Sequence, residues 1–280
     1  MGFFDNLKNS KGEMSFLGHL DALRWHLMRS AMVIVVLAIS GFFFKDFLFN
    51  TILFGPKTPS FPTFRFMCWL SNSLGWGDKL CVKNVDFKLV NYELSGQFTT
   101  HMMVSFIAGF IVALPYFLWE IWTFIKPALY EKERTYAKGI VFYTTSLFII
   151  GILFGYYVIV PLSVNFLANY RVSASVGSFI SLDSYISTVS TVTLISGVIF
   201  ELPMVIYFLT KMGIITAKFM RQYRRHAVVI ILIVAAIITP TSDATTLMLV
   251  SIPLYGLYEI SIFVSAYVLK KKALREKEKV

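Results

Sequence analysis

Stretches almost free of charge recur along this chain, and they are too long for ordinary buried helices. A helix needs about 20 apolar residues to cross the roughly 30 Å hydrocarbon core of a bilayer. Runs of that kind lie at 27–49, 102–125, 139–162, 186–209 and 247–269, with a shorter one at 227–238. Composition agrees. Hydrophobic residues make up 56% of the chain and charged residues only 15%, too few charges to cover a soluble protein of this length. The expected class is an all-α integral membrane protein with six transmembrane helices. The 227–238 run would span only about 18 Å at 1.5 Å per residue, so it either crosses a locally thinned bilayer or forms a re-entrant loop.

Lysine and arginine set the orientation. They crowd the N-terminal segment (Lys8, Lys11, Arg24, Arg29), the loops after the second and fourth runs (Lys126, Lys132, Arg134, Lys138; Lys211, Lys218, Arg221, Arg224, Arg225) and the tail from Lys270 to Lys279. Opposite them lie a long loop with Lys57, Arg65, Lys79, Lys83 and Lys88, and a second loop with only Arg171. Both termini are therefore expected in the cytoplasm. This topology accounts for the formal net charge of +10, and no basic platform with interleaved aromatics points to nucleic acid. The first apolar run starts late and lacks a small-residue cleavage site, so it reads as a retained span. One membrane domain over 1–280 is expected, with 51–101 forming an outer cap.

Charges inside the runs are the candidate functional groups. Glu201 lies within the fourth, where an unpaired carboxylate costs several kcal/mol without water or a partner. Ser187, Ser190, Thr193, Gly197 and Glu201 fall within an arc of about 120° on that helix. The stripe is either a tight seam of small residues or the wall of a hydrated cavity. Glu120, between Trp119 and Trp122, and Glu259 read as interfacial or paired groups. Pro115, Pro203 and Pro253 lie inside expected helices and can kink them. The loop KPALYEKER at 126–134 carries acids among its bases, which either bind a basic ligand or pair with Lys132 and Arg134. Cys68 and Cys81 share the outer loop; they are either bridged or free, and an oxidising outer compartment favours the bridge. Four scattered histidines show no metal spacing, and neither a phosphate-binding glycine loop nor a nucleophile elbow is present. No enzyme and no cofactor are expected.

Four segments stand out: FLGHLDALR at 16–24, PYFLWEIWTFIKPALYEKER at 115–134, FELP at 200–203, and TPTSD at 239–243 followed by IPLYGLYE at 252–259. In this order they resemble the TatC family, the multispanning subunit of the twin-arginine protein translocase. The resemblance implies a curved, glove-like bundle with a short fifth/sixth hairpin in the bacterial inner membrane. It implies binding of twin-arginine signal peptides and export of folded precursors driven by the proton-motive force. The implied partners are those precursors, single-span TatA/TatB-type subunits, membrane lipid and further copies of the chain. The implied signal-peptide residues are Asp21, Arg24, Phe124, Glu133 and Arg134, and the implied intramembrane acid is Glu201. Pro56, Pro127, Asp243 and Glu259 fall at other motif positions. The chain departs from the pattern at Ala22, where the family usually has glutamate, and at Thr241-Ser242, which lengthens the last outer turn; its outer loop also looks longer. Rival readings from the residues alone are an ion-coupled small-solute transporter using Glu201 as a proton relay and a structural scaffold. Paired repeats, which would favour the transporter, are not seen.

Overall fold

The computed structural model describes residues 16–75, 77, 81, 87–125, 137–170, 173, 179–239 and 243–277. Helix α1 runs Phe16–Phe43. It starts well before the apolar run, in a more polar first section. It ends before Lys45 and Asp46, where the uncharged run is broken, and a π-helical segment, Phe47–Leu53, follows. The segment expected to form a cap contains α2 (Pro62–Ser73) and β1 (Lys88–Val90). The membrane helices resume with α3 (Gly96–Ile125).

Helix α4 (Ala137–Phe154) passes through a π-helical turn, Gly155–Ile159, into α5 (Val160–Asn169). The cause is Pro161, which has no N–H to give the Tyr157 carbonyl four residues back. The Thr63 hydroxyl of α2 donates to that carbonyl instead, so the irregular turn also docks the cap. Strand β2 (Phe179–Ser181) pairs in parallel with β1, Lys88 opposite Phe179 and Val90 opposite Ser181, tying together the segments that precede α3 and α6. The all-helical expectation thus gains one short ribbon outside the apolar runs.

Next come α6 (Leu182–Phe200) and α7 (Leu202–Lys211), separated by a turn at Glu201. Helix α8 (Ala217–Gln222) is capped by Thr216, whose hydroxyl accepts the Phe219 N–H at 3.2 Å. Helix α9 (Arg224–Ile238) has 15 residues, about 22 Å at 1.5 Å each, and α10 (Ala244–Lys277) has 34. Pro253 lies within α10 without ending it. Five segments are long and apolar enough to cross a membrane: Leu20–Phe43, Gly96–Phe124, Gly139–Asn169, Leu182–Lys211 and Thr246–Lys271. The 15-residue α9 falls short of that length.

Small residues set how closely the spans approach. A Cβ on Gly109 of α3 would lie 2.5 Å from the Ala38 backbone nitrogen of α1. Between α4 and α6, Gly151 meets Ser196 and Phe200, while Gly197 meets Phe148 and Ile152. Without water to drive helices together, such close van der Waals packing is what joins them in a bilayer. The main apolar core gathers around Ile159, Ile186, Val189, Ala235 and Val250. Two tyrosines reach from it to carbonyls of the π-helical segment: Tyr156 donates to Ile52 at 2.7 Å and Tyr185 to Leu53 at 2.8 Å. The cap carries a disulfide between Cys68 and Cys81. By contrast α1 leaves Met32, Val35, Val36, Ile39 and Phe43 exposed, a face that only lipid or another membrane helix can cover.

Candidate functional site

The antiparallel seam of α1 and α3 brings the start of one helix beside the end of the other. Asp21 and Arg24 lie on the exposed first section of α1, and Phe124 lies in the last turn of α3. His26 joins the two: its ring meets Phe124 edge-on at 6.2 Å, and its Nδ1 pairs with Glu120 Oε2. The other Glu120 oxygen accepts the Tyr116 hydroxyl at 2.6 Å. Tyr116 and Glu120 are four residues apart, so helical geometry stacks them on one face. Glu120 is buried, with 6% of its surface exposed. Tyr116 also lines a groove of about 400 Å³ whose other walls are Arg29, Met32, Val33, Val36 and Leu37.

Glu201 occupies the second polar position. Pro203 cannot donate to the carbonyl of Ile199, and the chain turns there: the Glu201 N–H bonds Val198 O at 3.1 Å. The carboxylate is thereby carried on a broken helix. Both its oxygens are buried without a hydrogen-bond partner among the described residues. An acid held this way calls for a donor from outside those residues. The expected polar stripe is divided. Ser190, Thr193 and Gly197 are buried, with Gly197 pressed against α4, while Ser187 is partly exposed. At Gly197 the stripe is a helix seam.

Glu259 is paired: Arg224 Nη2 approaches its Oε2 at 2.7 Å, and the Tyr255 hydroxyl donates to its Oε1 at 2.9 Å. Asp243 caps α10, its Oδ2 accepting the Thr246 N–H at 2.7 Å. Pro56 is buried in a single 3₁₀ turn, Gly55–Lys57. Glu133, Arg134 and Pro127 lie outside the described residues. The sequence reading missed the His26–Glu120–Tyr116 network. The Tyr116/Glu120 spacing was visible in the sequence; the histidine, 94 positions away, was not.

Five spanning-length helices, exposed apolar side chains along them and a buried acid at a helix break define a multipass membrane protein. The model of the Sec-independent protein translocase protein (TatC) family matches residues 18–253. A Sec-independent protein translocase protein TatC of Blattabacterium is 39% identical over 267 residues, 95% of this chain and 100% of that protein. A crystal structure of the twin arginine translocase receptor TatC superposes with a TM-score of 0.67 at 30% identity, covering 90% of this chain and 99% of the other. A second structure, in detergent, gives 0.68 at 31% identity, covering 88% and 99%. The chain belongs to the TatC family.

Proposed function

We infer that this chain is the receptor subunit of a twin-arginine translocase. It binds the paired arginines of a signal peptide at the cytoplasmic end of the α1/α3 seam and, with single-span TatA/TatB-type partners, exports folded precursors across the bacterial inner membrane on the proton-motive force. Both termini face the cytoplasm, in keeping with the lysine- and arginine-rich segments on that side. The observation that carries the reading is the meeting of His26, Phe124 and the Glu120–Tyr116 pair at one end of two packed spans, with Asp21 exposed five residues before His26 on α1. Carboxylates fixed on rigid helices suit guanidinium groups, because Arg–carboxylate bonds are strongest when bidentate and partly shielded. The family resemblance adds Glu133, nine residues after Phe124 in the sequence, to this site.

The test is binding of a fluorescent twin-arginine signal peptide to the detergent-solubilised chain. Glu133→Arg abolishes binding and Asp21→Ala weakens it, the second effect shrinking as salt screens the exposed carboxylate. Wild-type affinity in both variants would place the site elsewhere.

A further inference from the structure

A short span that starts in a cluster of cations leaves charge to be matched inside a bilayer. Helix α9 covers about 22 Å with its 15 residues, against a hydrocarbon core of roughly 30 Å. It begins at Arg224 and Arg225, and α8 just before it carries Lys218 and Arg221. No acid occurs anywhere in residues 211–239. With the far end of α9 at the opposite surface, these cations fall short of the level of undisturbed headgroups, where unmatched charge is costly. The protein matches one of them: Arg224 pairs with Glu259. Lys218, Arg221 and Arg225 are exposed and pair with no acid among the described residues.

We propose that Lys218, Arg221 and Arg225 bind the phosphate of an anionic phospholipid, in the leaflet that the basic segments assign to the cytoplasm. Helix α8 is a fixed platform for them. Thr216 caps it, Ala217 and Met220 are buried in a cluster with Ile262 of α10, and the Tyr258 hydroxyl donates to the Met220 carbonyl at 2.8 Å. With that face buried, Lys218, Phe219 and Arg221 are left exposed. The Phe219 and Tyr223 rings lie 4.5 Å apart, both exposed beside the cations. Aromatic rings and basic groups together at the end of a span settle at the headgroup level, and guanidinium forks across phosphate oxygens. The surrounding surface selects a lipid over a soluble anion. Met212 and Ile214 before α8 are exposed, as are Val229 and Ile233, four and eight residues after Arg225 on α9. A free phosphate leaves these side chains uncovered. A phospholipid places its phosphate on the cations and an acyl chain along α9.

The alternative is that these cations only orient the chain in the membrane, with no lipid held at a defined place. Native mass spectrometry separates the two. The full chain in detergent is titrated with phosphatidylglycerol or phosphatidylcholine, and the affinity of the first bound lipid is read. Phosphatidylglycerol should bind more tightly than phosphatidylcholine. Arg221→Gln and Arg225→Gln should each weaken phosphatidylglycerol about fivefold and leave phosphatidylcholine unchanged. Arg65→Gln removes the same charge from an exposed position on α2 and should change neither. Excess inorganic phosphate should not displace the lipid. Thermal unfolding of each variant checks the fold. Equal affinity for the two lipids, or equal weakening by Arg65→Gln, overturns the proposal in favour of diffuse attraction. Displacement by inorganic phosphate overturns it in favour of a free-anion site. Unchanged lipid binding in Arg221→Gln and Arg225→Gln, with loss of a co-purified single-span partner, gives the surface to a protein instead. No signal peptide enters the measurement, so a negative result leaves the receptor reading standing.

Discussion

Replacing Gly109 by alanine tests how the site is positioned. The new Cβ would sit 2.5 Å from Ala38 N and 2.7 Å from its Cα, against an optimal heavy-atom separation of about 3.5–4.0 Å. The obstacle is backbone, which cannot rotate aside, so α1 and α3 must separate by about 1 Å. Overpacking of this kind costs about 1–3 kcal/mol, offset by the roughly 0.5–1 kcal/mol that alanine gains over glycine in a helix. Gly256 of α10 is the control, because a Cβ there meets nothing within 4 Å; Gly256→Ala keeps only the helix gain. Gly197→Ala falls between, since the Cβ would press on Phe148 Cε2 and Ile152 Cδ1, the far ends of side chains that can yield. Thermal unfolding in detergent should rank Gly256→Ala at or above wild type, Gly197→Ala lower, and Gly109→Ala lower still. The extremes should differ by about 2 kcal/mol. Because the same seam aligns His26 with Glu120 and Phe124, Gly109→Ala should also weaken signal-peptide binding, and Gly256→Ala should not. A Gly109→Ala protein as stable as Gly256→Ala would refute the close approach of α1 and α3.

Further outcomes follow from named contacts. Tyr185→Phe removes the donor to the Leu53 carbonyl at a buried site and should destabilise by about 1–3 kcal/mol, read as a lower unfolding midpoint. Non-reducing peptide mapping should recover Cys68 linked to Cys81, and Cys68→Ser should lower stability by about 3 kcal/mol in the chain-entropy model; two alkylatable thiols in unreduced protein would contradict the bridge. Glu201→Ala should insert normally, since loss of a lone intramembrane acid eases insertion, yet impair export. Normal export would leave Glu201 a mere feature of the seam.

Much of the architecture is legible in the sequence because a bilayer imposes one strong rule, a long uncharged run for each span. Hydropathy is silent where helices leave the membrane. It therefore places the start of α1 too late, since residues 16–26 are helical without being uniformly apolar. It also misses the β1–β2 ribbon, a contact between loops far apart in sequence. Pro161 lies inside an apolar run and shows its effect only as the π turn that Thr63 relieves. Glu201 stands out in the sequence because a charge among apolar residues is conspicuous. Glu120 was equally conspicuous, but its partner His26 comes from another span, and no local periodicity pairs residues across two helices.

The central claim is that the cytoplasmic end of the α1/α3 seam receives paired arginines. A photoreactive amino acid at position 124, in inverted membrane vesicles, should cross-link to a folded precursor bearing the twin-arginine motif and lose that cross-link when both arginines become lysine. Equal cross-linking of the two precursors, or none from position 124 while export proceeds, would contradict it.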